Sequence, residues 1–484
     1  MKYTPPGRLK TIGAFREAIA AIDPAFACVD EPTGEGSPLA TPITTMGRTL
    51  ANRFAVHPME GWDATVDGLP TELTRRRWRR FGSSGATLIW GGEAFAVEGD
   101  GRANPNQLFL NPEADTEGGL ATLLEELATG AQESGGDHDA MLIGLQLTHS
   151  GRWSRPHGPL AAMIPQRNPW LGQKYNLAVD HPVLSDDDLQ RIRDAFIAAA
   201  VIADRVGFHF VDIKCAHGYL LHELLGAKQR PGPYGGSFEN RTRLFREIAQ
   251  GIAQTSPNLH LGTRVSMIDF APFEKTPESS LGRPMGTPEE MTSWMFAMHA
   301  PSDTGIDMTE AIEFLSLLPD LGISIVNLTL GSPYYSPHAQ RPAAYPPSDG
   351  YLPPEDPMRG VWRHLQLARA CKVAAPKLQF VGSGYTYLQE YLPHVAAHEV
   401  GEGHVDFVGL GRMMLSYPRL PHDVIMGRSV DRKQLCRTFS DCTTAPRNGM
   451  VSGCYPLDSF YQDREEAVQV RILRKEASKR NTTT

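Results

Sequence analysis

Short apolar runs alternate with longer helical patterns almost from end to end of this 484-residue chain. The strand candidates are Arg53–His57, Thr87–Gly91, Leu142–Leu147, Phe208–Cys215, Leu261–Met267, Ser324–Leu330, Leu378–Gly382 and Val405–Gly409. Helical patterns fall between them at Glu117–Glu133, Ser185–Val206, Phe238–Thr255, Asp307–Leu318, Met358–Val373 and Gln389–His398. A succession of β/α units predicts a parallel sheet, and eight strands is the number that closes a barrel. An open doubly wound sheet would want a Gly-x-Gly-x-x-Gly loop opening an early helix, and the sequence has none. The fold expected is therefore a (β/α)8 TIM barrel with long βα loops and a C-terminal extension. The chain divides into an N-terminal extension (1–39), the barrel (40–430) and a tail (431–484) that packs on it.

Segments 151–184, 270–306 and 331–357 exceed ordinary loop length; loops this long in a compact domain are usually functional or disordered, and the functional reading is favoured. All three leave strand carboxyl ends, so all three are expected to wall the active-site face. The last is rich in Pro and Tyr and reads as stiff and non-helical. Hydrophobic content of 41%, a net charge of −8 and a pI near 6.1 describe a globular chain without the basic face a nucleic-acid binder needs. Its one basic cluster, Arg75–Arg80, lies in a helical pattern and reads as a solvated helix face. No window approaches the roughly 18 apolar residues that span a bilayer, and the amino terminus lacks a signal-type apolar core. Six cysteines in so long a chain are no disulfide framework, and a reducing cytoplasm is the simplest home.

Chemistry concentrates where strands end. The apolar run Phe208–Ala216 is followed by His217, Tyr219 and a Gly-Gly turn at 235–236. Val381-Gly382-Ser383-Gly384 closes the seventh strand and Gly409-Leu410-Gly411-Arg412 the eighth. Barrels commonly bind phosphate there, where glycines let backbone N–H groups approach and an Arg clamps the oxygens. The third strand ends with Gln146, His149 and Arg152. A Gln offers both donor and acceptor to a heterocycle edge, and an Arg sits well beside an electron-rich ring. Arg264 closes the fifth strand, where an inward cation without an anion partner is expensive.

Over residues 40–425 these motifs resemble the old yellow enzyme family of FMN-dependent oxidoreductases. NRFAVHPMEG, LQLTHSGR, CAHGYLL, YGGSFENR, TRVS, VGSG and GLGR occur in the family's order. The resemblance implies that Pro58, Met59 and Glu60 pack by the flavin ring, that Gln146 binds its pyrimidine edge, and that Arg264 lies near it. Gly382, Ser383, Gly384, Gly411 and Arg412 would hold the phosphate. It implies NAD(P)H as electron donor, with hydride passed to an alkene conjugated to a carbonyl or nitro group. His217 would bind the substrate oxygen and Tyr219 would protonate the α-carbon.

Two positions depart from the family. Lys214 stands where a His is usual; an ammonium polarises a carbonyl and places fixed positive charge near the flavin. Its alternative partner is Asp212, two residues away on the same strand face. Glu60 replaces a Thr or Cys, and a carboxylate there opposes reduction unless it is protonated or turned away. Glu60 keeps open a flavin-dependent amine dehydrogenase or demethylase; Lys214 keeps open a non-catalytic flavin-binding protein. Iron–sulfur branches of the family carry four cysteines in the tail region, including a close pair, whereas this tail has Cys436, Cys442 and Cys454, with Phe439 where the second cysteine of that pair would stand. The expectation is no metal, a small-molecule substrate, no nucleic-acid or membrane partner, and room for a homo-oligomer.

Overall fold

The computed structural model describes residues 3–276, 279–298 and 307–482. Eight parallel strands close on themselves: β1 (Phe54–Val56), β2 (Leu88–Ile89), β3 (Leu142–Thr148), β4 (Phe210–Ile213), β5 (His260–Ser266), β6 (Ile323–Thr329), β7 (Gln379–Gly382) and β8 (Phe407–Leu410). Each pairs with the next in chain order, and Val408 and Leu410 of β8 pair with Phe54 and Val56 of β1. A helix follows every strand: α1 (Glu72–Gly82), α2 (Thr116–Glu133), α3 (Asp186–Val206), α4 (Arg243–Thr255), α5 (Thr309–Leu317), α6 (Pro357–Ala374), α7 (Leu392–Gly401) and α8 (Leu420–Ile425). This is a (β/α)8 barrel. A short extra strand, Ala94–Ala96, pairs with the upper half of β3.

The local chemistry explains the boundaries. Helix α3 opens with a capping box between Ser185 and Asp188 and three acids in its first turn, and closes at Gly207 with φ 103°. The acids face the positive end of the helix, and only a glycine enters that left-handed cap without strain. Its buried face, Leu189, Ile192, Phe196, Ala199 and Ala203, keeps helical spacing. Two helices differ from the sequence reading. The 238–255 pattern is interrupted at Thr242. The pattern beginning at Gln389 becomes regular only at Leu392, because Gln389 sits at φ 56° and kinks the chain.

The strands' inward positions fall in tiers. Ala55, Leu88, Trp90, Leu142, Phe210, Ile325, Val381 and Phe407 form one buried apolar cluster inside the barrel. A hairpin, Ile43–Thr45 with Arg48–Leu50, closes the bottom, with Leu50 joining that cluster. Gly144 makes room there: a β-carbon would overlap the Phe210 ring. Two residues further along the same strands the inward positions turn polar, and the site begins.

The basic run is not a solvated face. Arg77 is buried and pairs with Asp63 at 2.6 Å and with Glu93. Arg76 and Arg80 reach Asp458 of the tail at 3.0 and 3.6 Å. The run overrides its usual meaning because the carboxylates it needs come from two loops and the tail, which sequence spacing does not connect. The tail lies against the barrel mouth, where Ser452 N–H donates to Gly61 O at 2.8 Å.

Of the three long loops, 151–184 and 331–357 reach the mouth, the second through a single helical turn, Pro337–Gln340. The 270–306 loop does not line the central cavity among the described residues; residues 277–278 and 299–306 lie outside them. Its hairpin (Phe273–Thr276 with Ser279–Pro284) packs behind the 331–357 loop, with Phe273 against His338 and Tyr351. It buttresses the wall rather than forming it.

Candidate active site

A cavity of about 260 Å3 opens at the carboxyl ends of the strands. His57, Pro58, Met59 and Glu60 enter it after β1, Gln146 from β3, Lys214, His217 and Tyr219 after β4, and Arg264 from β5. Ser383 and Gly384 follow β7, and Gly411 and Arg412 follow β8. Of the residues assigned to the flavin or its phosphate in the sequence, Gly382 does not line the cavity. It lies one step below, where a β-carbon would press on the Tyr385 hydroxyl at 2.7 Å.

Asp212 organises the floor. Its carboxylate accepts from Trp90 Nε1 at 2.7 Å, Gln146 Nε2 at 2.6 Å and the Arg264 backbone N–H at 2.6 Å. It is thereby taken up and forms no ion pair with Lys214 among the described residues. Instead, Lys214 Nζ sits 3.9 Å from the centre of the Tyr219 ring. Burial pushes the Lys214 ammonium below the ordinary lysine range, opposed by the charge of Glu60. Burial pushes Glu60 up, against the pull of Lys214 and a hydrogen bond from Trp62. The two face one cavity and each moderates the other's cost of burial.

His217 holds φ 69°, a left-handed conformation that costs a non-glycine residue about 1 kcal/mol or more. It is fixed from both sides: its N–H donates to Ser266 Oγ at 3.0 Å and its carbonyl accepts from Ser332 Oγ at 2.6 Å. The ring lies 3.1 Å from Gln340 Nε2, and burial holds it neutral, well below the usual histidine range. Tyr219 is buried, its hydroxyl 3.0 Å from the Tyr334 hydroxyl, and burial raises its pKa well above the usual phenol value. Tyr334 in turn stacks on Trp153 at 4.6 Å, with an interplanar angle of 5°.

The polar groups around the far end lack an anion. Arg264 is 7% exposed, and burial pushes its guanidinium down to about 10. Arg264 Nε, Arg341 Nη2 and Arg412 Nη1 are buried and have no hydrogen-bond partner among the described residues. Arg341 is also pushed down to about 9 by burial and by the neighbouring Arg447 and Arg412. Gly384 at φ 94° leaves the backbone open, because a β-carbon there would meet His364 at 2.9 Å. Unpaired arginines beside a glycine-lined turn are the donor set that a phosphate satisfies. With Gln146 offering an amide at the floor, the residues suit FMN.

His149 and Arg152 point elsewhere. His149 lies 3.1 Å from Glu98, and Arg152 Nε donates to Glu223 at 3.1 Å in a buried pair, so Arg152 does not flank the cavity. Several lining residues escaped the sequence reading. His57 lies two residues beyond inward-facing Ala55, and period two could have found it. Tyr334, Gln340 and Arg341 come from the loop already marked as a wall. Cys442, Thr443, Pro446, Arg447 and Ser452 come from the tail and carry no periodic signal. Cys436, Cys442 and Cys454 surround a separate gap of about 30 Å3 with Phe439, and burial raises all three thiols.

The comparisons with known proteins agree with this geometry. The family model described as NADH:flavin oxidoreductase / NADH oxidase matches residues 38–278. NADH:flavin oxidoreductase FG08077 of Gibberella zeae is 30% identical over 263 residues, half of this chain. That match spans 60% of the relative's own length. An NADPH dehydrogenase of Bacillus subtilis is 28% identical over 300 residues, 61% of this chain and 73% of that protein. Among solved structures, the old yellow enzyme homologue from Zymomonas mobilis shares the fold with a TM-score of 0.53 at 22% identity, over 80% of this chain and 91% of that one. No helix among the described residues is long and apolar enough to cross a membrane. Through residues 38–278 the chain belongs to the NADH:flavin oxidoreductase / NADH oxidase family.

Proposed function

We propose that this protein is an FMN-dependent oxidoreductase that takes reducing equivalents from NAD(P)H and reduces an alkene conjugated to a carbonyl or nitro group. The observation that carries the reading is the convergence of a neutral phenol (Tyr219), an ammonium (Lys214) and a neutral imidazole (His217) on the cavity whose arginines await an anion. When bound, FMN supplies the hydride chemistry between nucleotide and alkene. Arg264 and Gln146 would hold its ring system, and Ser383, Gly384, Gly411 and Arg412 its phosphate.

The chain's own part is to position and polarise. Lys214 would draw electron density onto the substrate oxygen, where negative charge develops in the transition state. His217, held by Gln340, would fix that oxygen from the other side. Tyr219 would break its O–H bond and deliver the proton to the α-carbon. A phenol with a raised pKa keeps its proton until a carbanion-like centre needs it.

Tyr219→Phe tests this directly. Anaerobic bleaching of the flavin by NADPH should stay within about twofold of the wild type, while alkene turnover falls by about 10² or more. Unchanged alkene turnover would remove Tyr219 from the proton-donor role. Glu60 favours one other reading, oxidation of an amine with electrons passed to an external acceptor. Its carboxyl lies in the same cavity and would hold a substrate ammonium. Bleaching by an amine such as histamine, and not by either nucleotide, would select that reading.

A further inference from the structure

A second cavity of about 650 Å3 adjoins the first and shares Trp62, Tyr334, Pro446 and Arg447 with it. It is built from the 58–64 turn, two of the long loops and the tail. Its aromatic rim is Trp62, Tyr175 and Tyr334, with Tyr175 donating its hydroxyl to Tyr334 O at 2.7 Å. Nearly every charged or amide group on its wall is already engaged. Asp63 belongs to Arg77, and Asp349 pairs with Arg447 at 2.8 Å. Asn104 reaches Glu60 at 3.4 Å, and Asn106 Nδ2 donates to Ala64 O at 2.8 Å.

Arg155 is the exception. It is half-buried, lines this outer cavity, and its guanidinium makes no hydrogen bond or ion pair among the described residues. It lies near enough to Tyr334 and Tyr175 to pull both phenols down against the effect of burial. A fixed cation in one cavity with an aromatic rim, where both acids of the wall, Asp63 and Asp349, are already paired, is suited to a planar group that ends in an anion.

We propose that the outer cavity is a subsite for the anionic far end of the molecule whose reactive end lies in the inner one, and that Arg155 is its recognition residue. The inference rests on the reading above in taking the inner cavity as the place of reaction. The anion has two chemical sources. One is a carboxylate carried by the alkene substrate, and the other is a phosphate of the nicotinamide dinucleotide.

The test uses the FMN-loaded protein with benzylideneacetone and its para-carboxylate as paired probes. For the wild type, the carboxylate should show the lower KM. Arg155→Gln should raise the ratio of the carboxylate KM to the neutral KM by about tenfold, and Arg155→Lys should restore most of it. The effect should shrink in high salt, because the cavity is open to solvent. In a parallel arm, the NADPH concentration that half-bleaches the flavin is measured for each variant. A shift in the probe ratio assigns the subsite to the substrate, and a shift in the NADPH arm alone assigns it to the dinucleotide phosphates. No shift in either arm overturns the proposal. Quenching of tryptophan fluorescence by the carboxylate probe reads the subsite without turnover. Arg155-dependent binding without reduction would keep the subsite and sink the ene-reduction reading. Reduction without Arg155-dependence would do the reverse.

Discussion

The two ends of the barrel interior are built from the same strands and obey opposite rules. At the lower end, Ala55, Leu88, Leu142, Phe210, Ile325, Val381 and Phe407 fill one buried apolar tier. Two or four residues along, the same strands present His57, Gln146, Lys214, Asn327 and Ser383. The lower tier is close-packed enough that Gly144 cannot accept a β-carbon beside Phe210. The upper tier leaves buried arginine nitrogens without hydrogen-bond partners among the described residues. The lower end gains stability, and the upper end gives some of it up to be ready for an anion. Period two lets each strand serve both ends without compromise, because neither tier shares a residue with the other.

That contrast breaks most readily from below. Phe210→Ala should cost about 3–5 kcal/mol, read as a lowered midpoint of urea unfolding, while the FMN-loaded protein stays active at low temperature. A loss under 1 kcal/mol would mean that the lower tier is not close-packed. The opposite sign is expected above. Arg264→Met removes a buried cation that forms no ion pair among the described residues and feels only the charge of Asp212, so the apoprotein should melt at or above the wild-type temperature. FMN affinity, measured by quenching of flavin fluorescence, should fall about ten- to hundredfold. An apoprotein destabilised by that change would show that Arg264 is paid for within the fold itself.

The lower tier and the scaffold were more legible than the upper one. Buried parallel strands read as apolar runs between punctuation, so Leu142–Leu147 and Leu378–Gly382 were placed almost to the residue. Strand-end polar residues such as Gln146 and Arg264 could be named because the fold fixes where strand ends point, and Lys214 because the family's motif falls on it. The roles of Arg77 and Asp212 were hidden. Arg77 looked like part of a surface run until Asp63 and Glu93 met it, and those partners come from separate loops. Asp212 looked like a partner for Lys214, but three donors from β2, β3 and β5 claim it first. Tail residues such as Thr443 and Arg447 were illegible for a related reason. A segment without periodicity carries no address, and only the closed barrel gives it one.

Lys214 sharpens the comparison most finely, because its pH dependence separates chemistry from stability. Burial lowers its pKa, with Arg264 adding to the shift and Glu60 and Asp212 opposing it. As pH rises through that lowered value, the ammonium that polarises the substrate oxygen is lost. Alkene turnover should therefore fall at a pH below the ordinary lysine range of about 10.4. Tyr219 stays protonated there, since its own pKa is raised, and His217 is neutral throughout. The effect on stability has the opposite sign. Below the ordinary lysine pKa the unfolded chain holds the proton more tightly than the folded one, so raising the pH removes a burial penalty and favours the fold. A decline in turnover without a decline in melting temperature is the expected signature. In Lys214→Met the basic limb should vanish from the profile of log kcat against pH, with kcat lowered about tenfold or more at neutral pH. A limb that survives the substitution would belong to another group, and Lys214 would lose its place in the reaction.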